Sequence, residues 1–254
     1  MLGRKEEENP EPQRGGPDLG GNCATVFRVF KLKETAMPSS RPLFSLVAAA
    51  LLTSPPSYAF QSPLSEESVR EAYFLGQRHD GIFPLLDKYT KHLPSPKTGP
   101  HISYITFLTP FAQLVRFSDR YIGNYSAQQA ALDHRSQQET VEISVEILLT
   151  PSYGALISSP AASKSGPQQG YTLRPSDFWK DFQVQVLQGD ENLTPAGFAG
   201  KPNSLCARLG CTLIGATLCL TFPADAFTSD TATIQVLPPE GPEVSVDFDL
   251  TKLR

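Results

Sequence analysis

The clearest pattern along the chain is a strict alternation in which Val141, Ile143, Val145, Ile147 and Leu149 take turns with Glu142, Ser144, Glu146 and Leu148. A period of two predicts a half-buried strand, apolar side chains on a core and polar ones in water. Looser versions recur. Residues 102–108 are β-branched and aromatic, Phe182, Val184 and Val186 alternate, and Ile214, Ala216, Leu218, Leu220 and Phe222 share one face. Residues 231–236 and 244–250 flank Pro238-Pro239-Glu240-Gly241-Pro242 and predict a hairpin, with Val244, Val246, Phe248 and Leu250 inward and Glu243, Ser245, Asp247 and Asp249 outward.

Helical spacing precedes these strands. Ser65 is placed to cap a helix over 65–78, with Glu66 and Glu67 in its first turn and a stripe of Val69, Ala72, Tyr73 and Gly76. Ile82, Leu85, Leu86 and Tyr89 share a face and predict a second helix over 82–92. The breakers Leu93-Pro94-Ser95-Pro96 follow it, so the pair reads as a helical hairpin docked on what comes after. Ser126-Ala127-Gln128-Gln129 is a capping box opening a short helix to about His134. Residues 111–117 carry two signals. Thr109-Pro110 would start a helix, whereas Phe111, Gln113, Val115 and Phe117 alternate weakly; the alternation is followed here, as a kinked strand. Residues 150–176 are rich in Pro, Gly and Ser and read as a long loop.

The expected fold class is therefore α+β, mainly β. The pattern suits an antiparallel two-sheet sandwich, immunoglobulin-like in the loose sense, of about six or seven strands with an N-terminal helical hairpin docked on it. It departs from a true immunoglobulin domain because Trp179 precedes Cys206, Cys211 and Cys219. The domain division expected is 60–98 for the hairpin and 99–254 for the sandwich.

The segment upstream changes the picture. Residues 43–52 form an apolar run behind Arg41, and Ser57-Tyr58-Ala59 sets small residues at the −3 and −1 positions of a signal-peptidase site. The run is far short of the roughly 20 residues a spanning helix needs. A signal peptide over 37–59 is expected, cleaved between Ala59 and Phe60, with no membrane insertion afterwards and a secreted or periplasmic product. Residues 1–36 are polar and rich in Gly and Pro, the composition of a disordered extension, and Met37 is the expected start.

Charge and cysteines narrow the classes further. The chain carries 22 Lys+Arg against 26 Asp+Glu, a net of −4, with no basic cluster, which excludes nucleic acid as the expected partner. Export permits disulfides. Cys206 and Cys211 can close a short loop worth about 2 kcal/mol by chain entropy. Cys211 and Cys219 on one strand would stand about 26 Å apart, too far to bond. Cys206–Cys211 is thus the expected pair, with Cys219 left over.

Catalytic patterns are weak. His79, His92, His101 and His134 make no HExxH, there is no G-x-S-x-G, and 197–202 is no phosphate loop. Glu142 with Glu146, or Asp247 with Asp249, are carboxylate pairs of the kind that hold Ca²⁺, but a solvated sheet face is the plainer reading. Asn124 and Asn192 head sequons usable only in a eukaryotic secretory pathway. No catalytic, cofactor or metal residue is assigned. The expected function is a non-enzymatic exported module that binds a protein or an envelope component; the alternative is an exported hydrolase with a dispersed site.

Overall fold

The structure is a computed structural model, and it describes residues 60–78, 82–120, 126–163, 166–208 and 210–254. The expected extension over 1–36, the predicted signal segment over 37–59, His79 and Asn124 lie outside the described residues. Among the described residues the chain is mainly β, with antiparallel sheets and four α-helices.

Ser65 caps α1 (Glu66–Gly76), its hydroxyl accepting from the Ser68 N–H at 3.2 Å. The stripe Val69, Ala72, Tyr73 and Gly76 is buried. A Cβ at Gly76 would drive into the Val115 carbonyl and Ser118, so the glycine permits close approach of two helices. The second helix is shorter than its stripe predicts. α2 covers only Ile82–Asp87, and Thr90–His92 forms strand β1 instead. The Thr90 hydroxyl bonds back to the Leu86 carbonyl at 3.0 Å and the Tyr89 carbonyl accepts from the Phe107 N–H at 2.8 Å, so sheet pairing replaces the last helical turn.

Strand β2 (His101–Leu108) runs directly into α3 (Pro110–Arg120), which overturns the kinked strand expected there. The Thr109 hydroxyl accepts from the Ala112 N–H at 3.3 Å and Pro110 takes the first helical position, so the start signal outweighs the weak alternation. α4 (Ala127–Arg135) is capped by Ser126 as the capping pattern predicts. The four helices group together. α1 packs on α3 and α4, and Leu64, Val69, Ala72, Tyr73, Ile82, Phe111, Val115 and Ala130 form one apolar cluster. This arrangement replaces a two-helix hairpin laid on a sheet.

β3 (Thr140–Leu148) is the central alternating strand. Past it, the long loop expected over 150–176 contains a two-stranded sheet, β4 (Leu156–Ser163) with β5 (Gly166–Leu173). Turn-forming composition hid two strands there, because backbone pairing needs no β-branched side chain. A 3-10 turn (Phe178–Asp181) leads into β6 (Gln183–Gln188) and β7 (Glu191–Leu193). The cysteine-bearing stretch is likewise a strand pair, β8 (Gly197–Ala207) with β9 (Gly210–Pro223). β10 (Thr231–Leu237) and β11 (Val244–Asp249) form the predicted hairpin. Eleven strands among the described residues replace the six or seven expected.

The strands make a five-stranded sheet in the order β1-β2-β3-β9-β8 and a four-stranded sheet in the order β11-β10-β6-β7, besides β4-β5. One apolar core draws on both larger sheets: Ile105, Phe107, Ile143, Val145, Leu218 and Leu220 from the first, Val186, Ile234, Val236 and Phe248 from the second. Phe107 sits at its centre, edge-on to Phe227 at 5.2 Å and tilted on Phe248 at 5.6 Å.

Candidate functional site

The face of the five-stranded sheet turned away from this core is polar and was expected to be solvated. Instead, Glu142, Ser144 and Thr217 on that face are buried. The registers align five side chains on one rung that crosses every strand: His92 on β1 opposite Tyr104 on β2, Tyr104 opposite Glu146 on β3, Glu146 opposite Thr217 on β9, and Thr217 opposite Lys201 on β8. The neighbouring rung runs Thr90, Thr106, Ser144, Cys219, Ala199. Facing residues on a pleated sheet point the same way, so hydroxyls, a carboxylate and an amide share one surface.

Glu146 is its centre. One carboxylate oxygen accepts from the Thr217 hydroxyl at 2.6 Å and the other from Asn203 Nδ2 at 2.8 Å, while the same Asn203 nitrogen reaches Thr217 Oγ1 at 3.0 Å. Three residues from three strands thus close a triangle. Burial pushes the Glu146 carboxyl above the ordinary carboxylate range, and the bonds from Thr217 and Asn203 only partly offset this. Beside it, burial and the Glu146 charge together push the Tyr104 hydroxyl up to about 12, so it remains a neutral donor at every physiological pH. His92 stacks edge-on to Tyr104 at 5.9 Å, and its Nε2 lies 3.5 Å from Asp87 Oδ1. The rung is graded: Thr217 is buried, Glu146 and Tyr104 are half-buried, and His92 and Lys201 are exposed.

Two other clusters test whether the arrangement suits hydrolysis. Glu142 is bound by Arg116 at 2.7 Å, the two side chains only 8% and 22% exposed. Four residues along one strand separate it from Glu146 by about 13 Å, beyond the reach of a glycosidase carboxylate pair. The second cluster joins Ser62, Glu139 and His134. The Ser62 hydroxyl donates to Glu139 Oε2 at 2.6 Å, and the Leu64 N–H at 2.6 Å and His134 Nε2 at 2.8 Å both meet Glu139 Oε1. In a nucleophile relay the imidazole takes the serine proton. Here the carboxylate stands between them. Burial pushes Glu139 up, but the bonds from His134, Leu64 and Ser62 pull it further down, below the ordinary carboxylate range. That makes it a poor base and a good clamp.

The remaining sequence candidates are dispersed. Cys206 and Cys211 face each other across the β8–β9 hairpin at disulfide distance, their Cα atoms 3.9 Å apart. Cys219 lies on the polar face and is not a free thiol, which corrects its expected status as left over. His101 Nε2 lies 3.0 Å from the Leu93 carbonyl, and His134 is mostly covered. Asp247 accepts from Thr233, and Asp249 from Thr251 and Lys252. Asn192 is exposed on β7. Phe60, on the far side of the expected cleavage point, is buried in the main core.

Of the rung, the sequence motifs reached only His92, as one of four histidines without a metal pattern, and Lys201, within 197–202; Tyr104, Asn203 and Thr217 carried no signal. The β3 alternation pointed at Glu146, and the stretches holding Tyr104 and Thr217 read as strands, but His92 was read as a helix end and 197–207 as a Gly-rich excursion, so the rung across them stayed hidden. The outer edge of β8 carries Lys201 and Pro202, the charge and the missing donor that discourage pairing with a further strand. A scan against protein-family models finds no match for this chain, and a search of curated proteins finds none.

Proposed function

We propose that this chain is an exported, non-catalytic binding module on a two-sheet, immunoglobulin-like sandwich, and that its recognition surface is the polar rung of the five-stranded sheet. The ligand class is a neutral, hydroxyl-rich molecule such as an envelope saccharide. The observation carrying this reading is the Glu146–Thr217–Asn203 triangle, which stands in line with the Tyr104 hydroxyl and the exposed ends His92 and Lys201. Alternating acceptors and neutral donors match sugar hydroxyls, which donate and accept together. The export reading supports it, since such ligands lie outside the cytoplasm, and so does the lack of a basic cluster in the sequence.

The hydrolase reading is weaker on the same geometry. Glu142 is committed to Arg116, and Glu139 intervenes between Ser62 and His134. Calorimetric titration of the full chain with neutral oligosaccharides, with product analysis on the same samples, separates the two. Binding without cleavage, weakened about tenfold by Thr217→Val through loss of a charge-assisted hydrogen bond, is the expected result. Release of shortened products would favour the hydrolase.

A further inference from the structure

Residues 60–64 tie the two apolar clusters together. Phe60 is 5% exposed, its ring 6.4 Å from Phe107 and 6.2 Å from Phe227 in the main core. Leu64, four residues on, belongs to the helical cluster. Between them every polar side chain is used. Gln61 accepts from the Ser68 hydroxyl at 2.7 Å, Ser62 donates to Glu139 at 2.6 Å, and the Leu64 N–H donates to the other oxygen of the same carboxylate at 2.6 Å. Glu139 itself follows α4 and precedes β3, so it fixes this segment at the junction of helices and sheet.

The bond expected to be cut lies immediately before this segment. A peptidase must draw residues on both sides of the scissile bond into its groove as extended backbone. Seating Phe60 there requires lifting its ring out from between Phe107 and Phe227. Cleavage of a docked bond therefore proceeds only through local opening, at a rate reduced by the small open population.

Resting on the signal-peptide reading, we infer that residues 60–64 form a latch that is cut before it docks: the Ala59–Phe60 bond is a signal-peptidase substrate only while the latch is open, and docking then shields the new N-terminus. The chemistry is simple hydrolysis. Water adds across the amide, leaving a carboxylate on Ala59 and an amine on Phe60. Docking of Phe60 and capture of Ser62 and Leu64 by Glu139 then complete both cores. The order of events, processing before final packing, follows from the burial of Phe60.

The test uses the full chain and detergent-solubilised signal peptidase, with intact mass read over time. Three samples are compared: the refolded chain, the chain diluted from urea directly into peptidase, and a refolded Glu139→Ala variant, which leaves the residues flanking the cut unchanged. Thermal melting establishes that the variant is folded, and Ser68→Ala, which frees Gln61, serves as a milder second opening of the latch. The refolded chain should be cut at least about tenfold more slowly than the diluted one, with Glu139→Ala restoring much of the difference. Equal rates in the refolded and diluted chains, both yielding Phe60 at the new terminus, would overturn the latch while leaving the signal reading intact. No cut between Ala59 and Phe60 in any sample would overturn the signal reading and the latch with it.

Discussion

Glu146 stands directly opposite Thr217 across the β3–β9 pairing and takes its hydroxyl hydrogen bond at 2.6 Å. That single contact locates a half-buried carboxylate in the middle of a polar surface, between the Tyr104 rung position and Lys201. Because burial raises its pKa, the folded chain binds the Glu146 proton more tightly than the unfolded chain does. Stability from this group therefore falls as pH rises from the ordinary carboxylate value through the raised one. Glu146→Gln has no such proton. Urea melts at neutral pH and at about pH 4 should show the wild type gaining on the variant as pH is lowered. A constant difference would refute the assignment.

Glu139 should behave with the opposite sign. Its folded pKa is depressed, so its contribution is present above the ordinary carboxylate value and lost as pH falls through the depressed one. Glu139→Gln should cost about 1–3 kcal/mol at neutral pH, the scale for hydrogen bonds to a charged group, and less in acid. Chemical denaturation of both proteins across that pH range checks it.

The Arg116–Glu142 pair is mostly covered, so removing one partner strands the other. Arg116→Met should cost about 3 kcal/mol, and adding Glu142→Leu should recover much of that, since a buried pair is often replaceable by apolar residues. A double substitution as damaging as the single one would contradict this account.

Gly76 tests the helical cluster. With the Val115 carbonyl and Ser118 pressed against it, Gly76→Ala should lose about 1–3 kcal/mol despite the better helix propensity of alanine. An unchanged or raised melting temperature would mean that α1 does not pack on α3 as described.

Some of these relationships were legible in advance and others were not, for identifiable reasons. Ser65 and Ser126 announced α1 and α4 because a cap is a local signal, readable without tertiary context. Thr109-Pro110 announced α3 in the same way, and the competing alternation of Phe111 to Phe117 misled because amphipathic helices and strands share short apolar patterns. Thr90 to His92 were lost to the helix reading because only β2 makes them a strand. Residues 156–173 and 197–207 pair through their backbones, with glycine and proline where a strand signal wants Val or Ile. The candidate site suffered most from this. Its rung is assembled from five strands, so a register that no single stretch of sequence encodes decides which residues meet.

The central claim, that this rung is the binding surface, is tested most directly by amide NMR of the full chain titrated with neutral oligosaccharides. Shifts should concentrate at His92, Tyr104, Glu146, Lys201, Asn203 and Thr217, and in Thr217→Val they should need about tenfold more ligand to reach the same size. Shifts confined to the helices or to the Phe198 side of the β8 edge, or no shifts at saturating ligand, would contradict it.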